Sequence, residues 1–127
     1  MKKLRGPDGC PWDKEQTHSS IIPNLKEETE ELIEAIQSGD KKHFKEELGD
    51  VLLQVVFHAQ IASENGDFDI NDVINGISSK LTRRHPHVFG NKKAKTAKEA
   101  LKIWKAEKKK EKKNVGARRA VPLRNSR

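Results

Sequence analysis

Acidic residues at helical spacing, interrupted by one Gly-Asp break, constrain this chain more than any other feature. The stretch begins E-E-T-E-E-L-I-E-A-I at Glu27, breaks at Gly39-Asp40, and resumes K-E-E-L-G-D-V-L-L-Q-V-V from Lys45. Glu28 and Glu31 are three apart, Glu27 and Glu31 four apart, and Glu47 and Asp50 three apart, so each pair shares a helix face. Gly39 suits a helix stop, and Asp40 suits the cap of a following helix. Folded back to back, the two helices bring Glu28, Glu31, Glu47 and Asp50 together beside an apolar strip. Carboxylates held near a core repel one another and need a compensating cation. Hard divalent metals that take oxygen ligands, Mg²⁺ or Mn²⁺, fit that need. Glu30 and Glu34 read as ordinary solvated positions.

The rest of the chain reads as further helices. Residues 1–18 are rich in Gly, Pro and Asp and are expected to be loop or turn, anchored by Leu4 and Trp12. Ser19 and Ser20 offer caps for a helix over 23–37, whose apolar residues are Leu25, Leu32, Ala35 and Ile36, with Ile22 leading in. A long helix over 41–63 presents Leu48, Val51, Leu52, Val55, Val56, Ala59 and Ala62 as a core-facing stripe, widened by Leu53, Phe57 and Ile61. A stripe so wide on a small domain points to a second subunit. A helix over 70–84 has Ile70, Val73, Ile74, Ile77 and Leu81 as its inner face. Pro86 ends it, and H-P-H-V-F-G follows as a compact loop. Thr96 and Glu99 form a capping box for a last helix over 97–113, with Leu101 and Trp104 facing inward. Strand patterns are absent, so the fold class is all-α.

Charge divides the chain. Residues 1–91 carry a net −5 and residues 92–127 a net +12, so the overall +7 describes the tail rather than the body. The expected organisation is a domain over 1–113 and a basic, disordered tail over 114–127. Such a tail attracts nucleic acid only non-specifically, through salt-dependent phosphate contact. Within the acidic body, Lys80, Arg83 and Arg84 crowd one helix end. Cations there meet the helix dipole, but three exceed that need and suit a phosphate chain. Cys10 is the single cysteine and reads as a small packed side chain; its lack of a partner points to a reducing, cytoplasmic setting. No signal peptide and no membrane span is expected. The five histidines lack zinc spacing.

These residues resemble the MazG nucleoside triphosphate pyrophosphohydrolases, of the all-α NTP pyrophosphatase group. The signature E-E-x-x-E, spacer, E-x-x-D appears as Glu27-Glu28-Thr29-Glu30-Glu31 and Glu47-Leu48-Gly49-Asp50. L-R-G-P-D-G-C-P-W-D-K-E-Q-T-H, G-D-V-L-L-Q-V-V-F-H-A-Q and K-L-T-R-R-H-P-H-V-F-G are similar to family segments, so the likeness runs from residue 4 to about 113. It implies a helical bundle of about four to five helices, dimerising through the long central helix into a homodimer or higher homo-oligomer. It implies Mg²⁺-dependent hydrolysis of NTPs and dNTPs between the α- and β-phosphates, giving NMP and pyrophosphate. By resemblance Glu28, Glu31, Glu47 and Asp50 are metal ligands, and Glu27 supports the attacking water. Lys80 and Arg84 match positions that touch the phosphates, and Trp104 and Lys108 match positions near the nucleotide. The C-P-W-D loop is typical of the amino-terminal copy of two-copy members. His43 stands where active copies carry a lysine. Both departures leave an alternative, a weakly active or inactive dimerisation or regulatory module.

Overall fold

A computed structural model describes the backbone of residues 1–118 and the side chains of residues 1–113. The described residues are helical, with no strand: α1 (Pro11–Glu15), α2 (Ile22–Ser38), α3 (Lys41–Glu64), α4 (Ile70–Arg84), α5 (Pro86–Phe89) and α6 (Ala97–Arg118). The four long helices match the sequence expectation closely. The two short ones fall where loops were expected, and each starts on a proline. Pro11 and Pro86 open a turn, because a first-turn residue has no helical use for an N–H. The expected tail over 114–127 is helical in backbone as far as Arg118, and the remainder lies outside the described residues. Among the described residues no helix is long and apolar enough to cross a membrane.

The described residues divide into two compact units, one over residues 1–70 and one over residues 71–118. In the first, α2 and α3 pack against each other across the Gly39-Asp40 turn. Gly39 lies at φ 75°, a left-handed conformation that glycine adopts without Cβ strain. The Asp40 carboxylate then accepts from the Lys42 and His43 amides, the expected cap. The expected serine cap of α2 does not form. Thr17 N–H donates to Ser20 Oγ and Ser20 N–H donates to Thr17 Oγ1, so that hydroxyl closes the preceding turn instead.

The apolar face of α3 is the expected one only in its second half, where Phe57, Ala59, Ile61 and Ala62 are buried. Leu48, Leu52 and Val55 stay 49%, 59% and 42% exposed, while Glu47, Gln54, Phe57 and Ile61 are buried. Glu47, Gln54, Phe57 and Ile61, with half-buried Asp50 between the first two, follow three- and four-residue steps one position ahead of the all-apolar stripe. Phe57 and Ile61 pack with Ile21 into the small core, and Met1 lies against it. Trp12 and Leu4, expected as core anchors, are half-exposed. Arg5 ties their segment down instead. Its guanidinium donates to both Glu64 oxygens (2.8 and 3.0 Å) and to the Asp13 and Gln16 carbonyls, and lies 5.6 Å from the Phe57 ring centroid.

In the second unit, α4 buries none of its residues, and Ile74, Ile77 and Leu81 remain about half-exposed. The capping box at the start of α6 forms: Thr96 Oγ1 accepts from the Glu99 amide, and the Glu99 carboxylate reaches back to the Lys95 amide.

Candidate metal centre

The α2–α3 hairpin brings the acidic residues together because both sets lie on the faces that meet. Glu28, Glu47 and Asp50 each offer a carboxylate oxygen, and these oxygens lie within 4.8 Å of one another. Glu47 is 8% exposed, and Glu28 and Asp50 are half-buried. His43 Nε2 sits 3.2 Å from Glu47 Oε1, one turn earlier on α3. The other Glu47 oxygen, Oε2, is buried without a hydrogen-bond partner, as is Glu28 Oε2. Two buried carboxylate oxygens with no donor are costly, and a cation held by the cluster would offset that cost. Glu31, expected as a fourth ligand, is half-buried and stands outside that three-carboxylate group, near enough for its charge to act on Glu28. Glu27 is exposed and stands outside the three-carboxylate group.

Burial first, then the charges of Glu31, Asp50 and Glu47, push the Glu28 carboxyl up from its ordinary 4.5 to about 7. Its shared hydrogen bond with Glu31 acts in the same direction. This gives a pH prediction for the metal-free protein. Between about pH 4.5 and 7 the folded chain holds a proton on Glu28 that the unfolded chain has lost, so this residue's contribution to stability declines as pH rises through that window. Thermal melts in EDTA, compared with Glu28→Gln, are expected to show the wild type losing melting temperature relative to the variant from pH 4.5 to 7. A constant difference across that window would contradict the cluster's electrostatics.

The basic set assembles separately, in the second unit. The Glu111 carboxylate accepts from Arg83 Nε at 2.6 Å and from Arg84 Nη2 at 2.7 Å and Nε at 3.0 Å. The Arg84 guanidinium lies 5.2 Å from the Trp104 ring centroid, and Lys108 Nζ lies 5.0 Å from it. Hydrogen bonds from Arg84 foremost, and from Arg83, hold the Glu111 carboxyl down at about 2. Four of the five expected substrate-binding residues thus meet in one cluster, organised by a carboxylate that sequence reasoning did not single out. Its signal was present, since Trp104, Lys108 and Glu111 fall four and three apart on one helix face. Lys80, one turn before Arg84, is half-buried.

The MazG nucleotide pyrophosphohydrolase domain matches residues 16–89, more than half of the chain and all of the acidic hairpin. The chain belongs to the MazG family. It is 64% identical over 91 residues to the nucleoside triphosphate pyrophosphohydrolase/pyrophosphatase MazG of Thermotoga maritima, covering 72% of this chain and 36% of that protein. It is 52% identical over 105 residues to the nucleoside triphosphate pyrophosphohydrolase of Escherichia coli K12, covering 82% of this chain and 40% of that one. The crystal structure of a mazG-related protein from Thermotoga maritima superposes with a TM-score of 0.69 at 31% identity, covering 85% of this chain and 91% of that one. The chain spans less than half the length of the curated relatives it matches. The MazG match takes in α2, α3 and α4, with the three clustered carboxylates and the basic end of α4.

Proposed function

We propose that this chain is a Mg²⁺-dependent nucleoside triphosphate pyrophosphohydrolase. It hydrolyses NTPs and dNTPs between the α- and β-phosphates and releases NMP and pyrophosphate. The observation that carries this reading is the carboxylate cluster, with two buried oxygens that lack a donor and an all-oxygen donor set. Glu28, Glu47 and Asp50 would hold the ion, with Glu31 as the fourth carboxylate and Mn²⁺ as a substitute metal. When bound, the metal supplies positive charge to phosphate oxygens and acidifies water. The chain's own groups hold the geometry. His43 Nε2 lies 3.2 Å from Glu47 Oε1 and leaves Oε2 unpaired, and Glu31 adds negative charge beside Glu28. Glu27 shares a helix face with Glu31 and is the carboxylate assigned to the attacking water. A nucleotide substrate and a lone cysteine both fit a cytoplasmic setting.

Lys80, Arg83, Arg84, Trp104 and Lys108 are proposed to meet the nucleotide, the cations neutralising phosphate charge. The Glu111 ion pair gives Arg83 and Arg84 a structural use as well, and two variants separate the uses. Arg84→Ala is expected to raise KM for the nucleotide about tenfold. Glu111→Gln breaks the same pair but keeps both cations. It is expected to lower the melting temperature while leaving KM unchanged or lower. Equal loss of melting temperature in both variants, with KM unmoved in Arg84→Ala, would assign the arginines to structure alone.

We also infer a homodimer or higher homo-oligomer that covers the exposed apolar stripe of α3. The test of the activity is product analysis over a panel of NTPs and dNTPs, with Mg²⁺ and with EDTA. NMP plus pyrophosphate, lost in EDTA, is expected. NDP plus phosphate would overturn the assigned bond.

A further inference from the structure

Helix α6 sorts its charges by face. Its carboxylates, Glu99, Glu107 and Glu111, are all committed within the second unit. Glu99 reaches back to the Lys95 amide, Glu107 pairs with Lys92 and Lys110, and Glu111 holds Arg83 and Arg84. Lys98, Lys102, Lys105, Lys109 and Lys112 step four, three, four and three residues along the helix, so they form one continuous stripe. All five are exposed, and among the described residues none of them pairs with a carboxylate. The sequence offers them none. Lys98, Lys105, Lys109 and Lys112 have no Asp or Glu three or four positions away, and the Glu99 carboxylate beside Lys102 is taken by the cap. We propose that this stripe is a docking surface for the phosphate backbone of a double-stranded nucleic acid. The interaction goes beyond the hydrolytic reading and does not depend on it.

Like charges three and four apart on a helix repel and weaken it. The stripe runs for about 21 Å at 1.5 Å per residue, and one strand of a duplex presents about six phosphates over that length. A row of anions relieves the repulsion along the whole stripe, whereas a single small anion meets only one or two lysines. Lysine suits this contact, because a point charge on a long stem finds a phosphate without regard to base sequence. The stripe has no aromatic side chain on which an unpaired base would stack. Trp104 lies on the opposite face with Glu107 and Glu111, and Arg84 and Lys108 lie over its ring. A bilayer surface is a poorer fit. Helices that lie on a membrane sink an apolar face beside the basic one. Here the opposite face carries the ion pairs, and among the described residues of α6 only Leu101 is a large apolar side chain left exposed, at 50%. Residues 1–91 carry a net −5, so the body of the chain does not attract the same partner.

The test is fluorescence anisotropy of a labelled DNA duplex of mixed sequence with the full chain, in EDTA, from about 50 to about 200 mM salt. The wild type is expected to bind with a micromolar Kd at the low end, and the logarithm of its affinity to fall linearly with that of salt. A triple variant, Lys102→Gln with Lys105→Gln and Lys109→Gln, removes three phosphate contacts. Its slope is expected to be shallower by about 2.7, at about 0.9 per contact. Glutamine forms helix as well as lysine does and removes the repulsion, so the melting temperature should hold or rise. A control, Lys2→Gln with Lys3→Gln and Lys14→Gln, removes the same charge from exposed positions of the first unit and is expected to leave the slope unaltered. No duplex binding at the lowest salt would overturn the proposal. An unaltered slope in the stripe variant would overturn it too, and would assign the contact to the arginines of residues 114–127. An equal fall in both triple variants would overturn it as an effect of net charge alone. Capture on phosphatidylserine vesicles, with no duplex binding, would overturn the nucleic-acid partner in favour of a membrane surface.

Discussion

Glu47→Gln is expected to lower Mg²⁺-dependent pyrophosphate release by about a thousandfold, roughly 4 kcal/mol in the barrier, with no loss of fold stability. The two expectations come from one geometry. Glu47 is the most buried of the carboxylates, and its Oε2 has no hydrogen-bond partner. Glutamine has the same shape, so α3 and its packing against α2 are retained. The amide removes one negative charge from a cluster that is self-repelling without metal, and its N–H groups offer donors to nearby carboxylate oxygens. The melting temperature in EDTA should therefore stay level or rise. What the amide cannot supply is the anionic oxygen that a hard divalent ion requires. Product assays, an Mg²⁺ titration and melts in EDTA together check this. Activity retained at high Mg²⁺ would remove Glu47 from the ligand set. A large fall in melting temperature would mean that the carboxylate holds the fold rather than the ion.

Much of the hairpin was legible because its signals are local. Gly39 needs only its own backbone freedom, Asp40 caps the two amides that follow it, and carboxylates three apart share a helix face whatever surrounds them. Burial was less legible, because α3 carries two interleaved stripes. The all-apolar one, through Leu48, Leu52 and Val55, was expected to face the core. The other mixes Glu47, Asp50 and Gln54 with Phe57 and Ile61, which were expected at the widened edge of the stripe and are buried. Periodicity identifies a face to be covered but not what covers it. Polar residues on the inward face are the mark of a site, and they read as interruptions when only hydropathy is followed. Gln54 was passed over for that reason. The Glu111 pairing was hidden differently, since 28 and 27 residues separate it from Arg83 and Arg84 and only the tertiary fold brings them together. Arg5 was missed likewise, because its carboxylate partner lies 59 residues away at the end of α3.

Leu52→Lys is expected to convert the proposed dimer into a monomer at micromolar concentration. In one chain Leu52 is 59% exposed, with Leu48 at 49% and Val55 at 42% on the same face of α3. Ile33 and Ile36 on α2 add further exposed apolar surface at 49% and 53%. A small soluble chain seldom leaves so many large apolar side chains bare, and the core inside the first unit rests on Ile21, Phe57 and Ile61. Covering a Leu of this kind contributes about 1.5–3 kcal/mol, and a two-fold interface counts each position twice. Lysine removes that gain and sets like charge at both symmetry-related positions. The dissociation constant should rise by about a thousandfold or more, visible as a shift from dimer to monomer in sedimentation velocity. The carboxylates lie on the neighbouring face of the same helix, so the variant tests assembly without altering a ligand. Its melting temperature should become independent of protein concentration, whereas that of the wild type should rise with concentration, as linkage to assembly requires. A wild type that sediments as a monomer across that range would overturn the dimer and leave the exposed stripe without a partner of its own kind.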